Sequence, residues 1–145
     1  MADSGTVVRI RVNGAPMGVR DNKVWAFLLD EGQETAWVIT SVGDSVQLAE
    51  RASGKVLAMP STEPFAQAEL AAKDAANSRW TLRRLDDEGY TSVQTITESG
   101  YYSLVLAGAK QSLGRNPVED RSLLPKKVVL LPDEVEPSQL IIEVT

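Results

Sequence analysis

Phe27–Ile39 reads FLLDEGQETAWVI, and Leu130–Ile142, LLPDEVEPSQLII, aligns with it without a gap. Asp30-Glu31 falls on Asp133-Glu134, Trp37 on Leu140, and Val38-Ile39 on Ile141-Ile142. Between these segments lies Leu70–Leu82, LAAKDAANSRWTL, with Trp80 in the place of Trp37. A hairpin-sized unit that recurs in this way cannot bury an apolar face alone, so its copies must pack around a shared core. The expected fold class is all-β: a β-trefoil with pseudo-threefold symmetry and about twelve strands. A single domain, 1–145, is expected, with units at roughly 5–42, 43–85 and 86–145.

The strand signals agree with the repeat. Val8, Ile10 and Val12 alternate with Arg9 and Arg11, and Tyr102, Leu104 and Leu106 alternate in the same way in the third unit. Asn13-Gly14 is a turn pair, because both residues tolerate positive φ. Met17-Gly18 opens a short second strand, Val19–Lys23 (VRDNK) is a polar loop, and Val24–Leu29 is a third strand. Asp30–Glu34 turns into a fourth strand at Thr35–Thr40. In the second unit, Val46, Leu48 and Val56-Leu57 are the apolar positions. Trp80–Leu85 and Tyr90–Ile96 flank a turn at Asp86–Gly89. Ala66–Ala76 is alanine-rich and has high helix propensity, yet the repeat places a hairpin there. In the third unit Gly108-Ala109 matches Gly14-Ala15, and Leu113-Gly114 matches Met17-Gly18. A long loop, Arg115–Lys126, then replaces the short loop of the first unit.

Composition removes several kinds of chemistry. With no cysteine and no histidine, disulfides, thiolate nucleophiles, Cys-based zinc sites and His-dependent triads are all absent. No metal or cofactor is expected. A net charge of −5 makes a poor partner for phosphate backbones. No apolar stretch approaches membrane-spanning length. The start, MADSGTVVRIRV, shows no charged leader followed by an apolar run, which fits the reducing cytosol. A cytoplasmic monomer is expected, with neither nucleic acid nor membrane as partner.

Few residues remain that could carry a function. Trp37 and Trp80 could stack on a sugar, but matching positions inside strands argue for core packing. The acid pairs Asp30-Glu31, Asp86-Asp87-Glu88 and Asp133-Glu134 sit in turns. Adjacent turn residues do not face each other across a cleft as paired catalytic carboxylates must. In the long loop, Leu123-Leu124 is expected to fold back and close one end of the barrel. Glu119 or Asp120 is expected to pair with Arg121 or a lysine. The loop Val19, Arg20, Asp21, Asn22, Lys23 offers two cations and an amide between short strands. Held by a rigid barrel, it can enter a protease cleft with little ordering cost, and trypsin-like clefts favour a deep cation. Trp25 lies beside it and can buttress it.

The segment GRNPVEDRSLLPKKVVLLP, Gly114 to Pro132, resembles the signature of the mushroom β-trefoil serine protease inhibitors, the cospin-like family. The resemblance implies a disulfide-free, cytosolic fungal β-trefoil that inhibits trypsin-like serine proteases in defence and is not an enzyme. It also implies that the inhibitory loop lies between the second and third strands, which here is Val19–Lys23. Inhibitors of this type can place an asparagine at the primary specificity position, and Asn22 is the matching residue type. Arg20 is the alternative on chemical grounds, although Asp21 after it is a poor neighbour on the leaving side. The EDRSLLPK segment reads as structural. The runner-up functions are a β-trefoil carbohydrate-binding lectin and a non-catalytic protein-interaction trefoil, since one fold hosts many functions.

Overall fold

Val8, Ile10 and Val12 point into the core from β1 (Thr6–Val12), as their alternation with arginines requires. The computed structural model describes residues 5–29, 35–87, 89–93, 96–119, 121–135 and 138–145. Among these, β1 is followed by β2 (Ala15–Arg20), β3 (Lys23–Ala26), β4 (Trp37–Val42), β5 (Ser45–Glu50) and β6 (Val56–Ala58). Then come β7 (Glu69–Ala71), β8 (Trp80–Asp86), β9 (Gly89–Val93) and β10 (Gly100–Leu106). The last are β11 (Ser112–Arg115), β12 (Lys126–Leu131) and β13 (Leu140–Val144). No helix occurs among the described residues. The expected turn at 30–34, Glu88 and Asp120 fall outside them.

One pairing scheme occurs three times. In β1–β4, β5–β8 and β10–β13 the first strand pairs the second and fourth, and the second pairs the third. Each fourth strand also pairs the first strand of the next unit: β4 with β5, β8 with β10, β13 with β1. Those six strands close a ring and leave no free barrel edge. The three remaining hairpins cap one end. They are joined by β12 to β3, β3 to β7, and the bridge between Gln67 and Val129. This is a β-trefoil. Among the described residues the strands number thirteen rather than about twelve, because β9 extends β8 as an additional hairpin arm.

Trp37, Trp80 and Leu140 are the first residues of β4, β8 and β13, and all three are fully buried. Each large side chain removed from water in this way contributes about 1.5–3 kcal/mol. Tyr102 joins the core, and its hydroxyl donates to the Glu98 carbonyl at 2.9 Å. Burial pushes the phenol above its ordinary pKa, partly offset by Arg84. Gly14 and Gly108 hold positive φ, 87° and 80°, in matching turns where a side chain would be strained. At Gly114 a methyl group would run into Ser138 Oγ and the Leu131 side chain, so the second strand of the third unit requires its glycine there. The alanine-rich segment forms β7 and turns instead of a helix, because Leu57 pairs Leu70 and Ala58 pairs Glu69 across the cap.

Candidate functional site

The β2–β3 connection is tighter than a five-residue loop at 19–23. Arg20 pairs Lys23 directly, so only Asp21 and Asn22 lie outside the strands. Both hold positive φ, 54° and 66°, which is the backbone of a type I′ hairpin turn. Asp and Asn suit it, because short polar side chains tolerate the left-handed region. The turn projects from the cap hairpins at the end of a strand pair that is anchored in the core.

The five residues do different things. Val19 packs against the core. Arg20 is exposed, and its guanidinium carbon lies 5.0 Å from the centroid of the buried Phe27 ring. Asp21 stands at the tip. Asn22 is fastened: its Nδ2 donates to Leu70 O at 3.1 Å and its carbonyl accepts from Leu70 N at 3.1 Å. Lys23 Nζ meets Glu69 Oε1 at 2.7 Å across the β3–β7 pair. Trp25 is half-buried, and its Nε1 donates to Arg20 O at 3.3 Å. The indole therefore holds the carbonyl just before the turn. A hairpin fixed at Arg20, Asn22 and Lys23 loses little freedom on meeting a partner.

The long connection between β11 and β12 differs from expectation at Leu123-Leu124 and at Glu119, while the alternative at Asp120 lies outside the described residues. Leu123 and Leu124 do not close the barrel; they are 59% and 67% exposed. The core at that end is already filled by Val128 and Leu130 of β12 and by Leu113 of β11. Glu119 pairs with Arg115, not with Arg121 or a lysine: Arg115 Nη2 lies 2.7 Å from Oε1 and Nε 3.2 Å from Oε2. Arg115 Nη1 also donates to Val12 O at 3.3 Å and to Asn13 O at 3.4 Å. One side chain thus ties the long loop to the β1–β2 turn. Both members of the pair are largely buried, so removing one strands the other. Arg115→Ala is expected to lower the unfolding free energy by about 2–3 kcal/mol, read as a shift in urea midpoint at constant slope.

A groove that no sequence pattern announces runs beside the hairpin. Trp25, Phe65, Val118, Pro125 and Lys127 line it, drawn from β3, the β6–β7 connection, the β11–β12 connection and β12. No group of metal-ligating side chains is present among the described residues.

Residues 94–145, which contain the whole third unit, match the family described as Peptidase inhibitor I66. This is the fungal β-trefoil family that the Gly114–Pro132 segment resembles. No curated protein sequence matches the chain. Among solved structures, the designed threefold-symmetric protein ThreeFoil is 19% identical with a TM-score of 0.69, over 96% of this chain and 99% of that one. A Caenorhabditis elegans protein of unknown function is 15% identical with a TM-score of 0.68, over 99% and 96%. Lysenin in its pore form is 14% identical with a TM-score of 0.66; the match takes in 99% of this chain but 47% of lysenin. These likenesses establish the fold. The match to the inhibitor family supports protease inhibition, a protease partner and a non-catalytic role.

Proposed function

We propose that this chain is a reversible inhibitor of a trypsin-like serine protease and that the β2–β3 hairpin enters the active-site cleft as a substrate strand does. The observation that carries the reading is the match of the third unit to a peptidase inhibitor family. The first unit supplies a pinned hairpin with an exposed cation at the point where the strand ends. Arg20 provides the charge for a deep acidic pocket. To reach it, the guanidinium leaves the Phe27 ring, a contact worth about 0.5–1 kcal/mol at an exposed site. A desolvated pairing with a carboxylate outweighs that loss. Asn22 and Lys23 hold the register of the turn, Asp21 meets the leaving side of the cleft, and Val19 anchors the strand. The setting we propose is a monomer in a fungal cytoplasm, acting in defence against animals or microbes that feed on the producer.

The lectin reading loses its two best stacking residues, because Trp37 and Trp80 are fully buried. The inhibitor reading is tested by titrating the protein against trypsin, chymotrypsin and an asparagine-specific cysteine protease. Inhibition of trypsin at or below micromolar concentration is expected. Inhibition of none of the three at micromolar concentration sinks the reading.

A further inference from the structure

Among the described residues, five that are not glycine hold positive φ: Asn13, Asp21, Asn22, Asn77 and Phe65. Four are Asn or Asp, which adopt the left-handed region readily. Phe65, at φ 64°, is the exception, and a bulky side chain in that region stores strain. The ring is not kept to fill the core either, since Phe65 is 38% exposed. The backbone around it is nonetheless fastened. Thr62 O accepts from Gln111 Nε2 at 2.7 Å, Phe65 N donates to Leu130 O at 2.8 Å, and Leu130 N donates to Ala66 O at 3.0 Å. A fixed loop therefore holds an aromatic ring toward solvent in an unfavourable backbone conformation. Such outliers persist where the ring serves something other than folding.

Phe65 lines the groove described above together with residues of the β11–β12 connection. Val118 there is 84% exposed. The β6–β7 and β11–β12 connections are the pseudo-threefold counterparts of the β2–β3 turn, so all three lie on the cap. Trp25 makes the groove continuous with the hairpin, since it lines the one and hydrogen-bonds Arg20 O in the other.

We propose that this groove is an exosite: it receives an apolar side chain from the rim of the same protease whose cleft the hairpin enters. The proposal rests on the inhibitor reading. A two-residue turn cannot alone supply the roughly 800 Å² per partner that a stable protein complex buries. The missing area must come from surface continuous with the hairpin, and the groove brings Trp25, Phe65, Val118 and Pro125 together with Asn116, Glu119, Lys126 and Lys127. Aromatic and aliphatic groups mixed with polar ones are what protein interfaces present. Preformed loops keep the ordering cost low.

The test uses the protease most strongly inhibited in the panel above. Association and dissociation rates are measured for the wild type, Val118→Glu, Phe65→Gly and the double variant. Glycine at position 65 removes the ring and also accepts the backbone, so folding is preserved. Each single variant is expected to weaken binding about 10-fold and the double at least about 10-fold, since the two residues share one partner side chain and their effects need not add. The change should lie in dissociation, with association altered less than about threefold. The melting temperature of Phe65→Gly should be equal to or above that of the wild type. A double variant that binds as tightly as the wild type overturns the exosite and leaves the hairpin reading intact. A lower melting temperature for Phe65→Gly makes the ring structural and overturns the premise. If the wild type binds no protease, the inhibitor reading and the exosite fall together. Glycan binding that the double variant abolishes assigns the groove to a sugar and overturns the proposal.

Discussion

Trp80→Ala should lower the unfolding free energy by about 3–5 kcal/mol, the range for emptying a large aromatic site in a packed core. That is a large part of the 5–15 kcal/mol that typically holds a domain of this size. The more informative measurement compares Trp80→Phe with Trp37→Phe. The two tryptophans occupy equivalent positions, at the first residue of β8 and of β4, and both are fully buried. They differ in one atom's surroundings. Trp80 Nε1 donates to Leu57 O at 3.2 Å, whereas Trp37 Nε1 has no acceptor among the described residues. Phenylalanine at 80 leaves a buried carbonyl short of a donor. Phenylalanine at 37 removes a donor that already lacks a partner, so only volume is lost. Trp80→Phe should therefore be the more destabilising by about 1 kcal/mol. Urea unfolding of both variants decides it. Equal losses, or a greater loss at 37, would show that the hydrogen bond to Leu57 does not distinguish the two sites.

That comparison is possible because the threefold frame is legible in the chain. Trp37, Trp80 and Leu140 align in the sequence and occupy the same place in three successive fourth strands. The alternation at 6–12 and 100–106 is equally direct, since period-two patterning has a single structural meaning. Segment 66–76 is different. Its alanines favour helix, and pairing with β6 and β3, the bridge of Gln67 to Val129 and the grip of Gln47 Nε2 on Lys73 O, at 2.8 Å, hold it extended and turned. Such contacts are long-range and leave no local trace. The same reason hides the exposure of Leu123-Leu124, because an apolar dipeptide reports what it prefers and not whether the core has room. The Asp21-Asn22 turn resembles Asn13-Gly14 in residue type, yet charged neighbours on both sides disguise it as a longer loop. The groove is the least legible feature. Trp25, Phe65 and Val118 are far apart along the chain and meet only when three hairpins gather on one cap.

Arg20→Ala should weaken trypsin inhibition by at least about 100-fold, whereas Asn22→Gly should cost no more than about 10-fold. The resemblance to cospin-like inhibitors points to Asn22 as the residue that enters the specificity pocket. The hairpin points to Arg20. Asn22 is held on both its side chain and its carbonyl by the Leu70 backbone, and entering a pocket would break the side-chain bond. Arg20 stands at the strand end on an exposed side chain, with its guanidinium over the Phe27 ring. Losing the cation removes a charge-assisted pairing, which is about twice as strong as a neutral one and, in a desolvated pocket, worth several kcal/mol. Glycine at 22 keeps the positive φ of 66° that the turn needs, so the variant separates the role of the side chain from that of the backbone. It loses one hydrogen bond to Leu70 O, worth about 1 kcal/mol of hairpin rigidity, or up to about 10-fold in affinity. Inhibition constants for Arg20→Ala, Arg20→Lys and Asn22→Gly against trypsin give the answer, with Arg20→Lys expected to retain most of the inhibition. Abolition by Asn22→Gly with Arg20→Ala still active would move the primary contact to Asn22 and make the Leu70 bonds a resting arrangement that the protease opens.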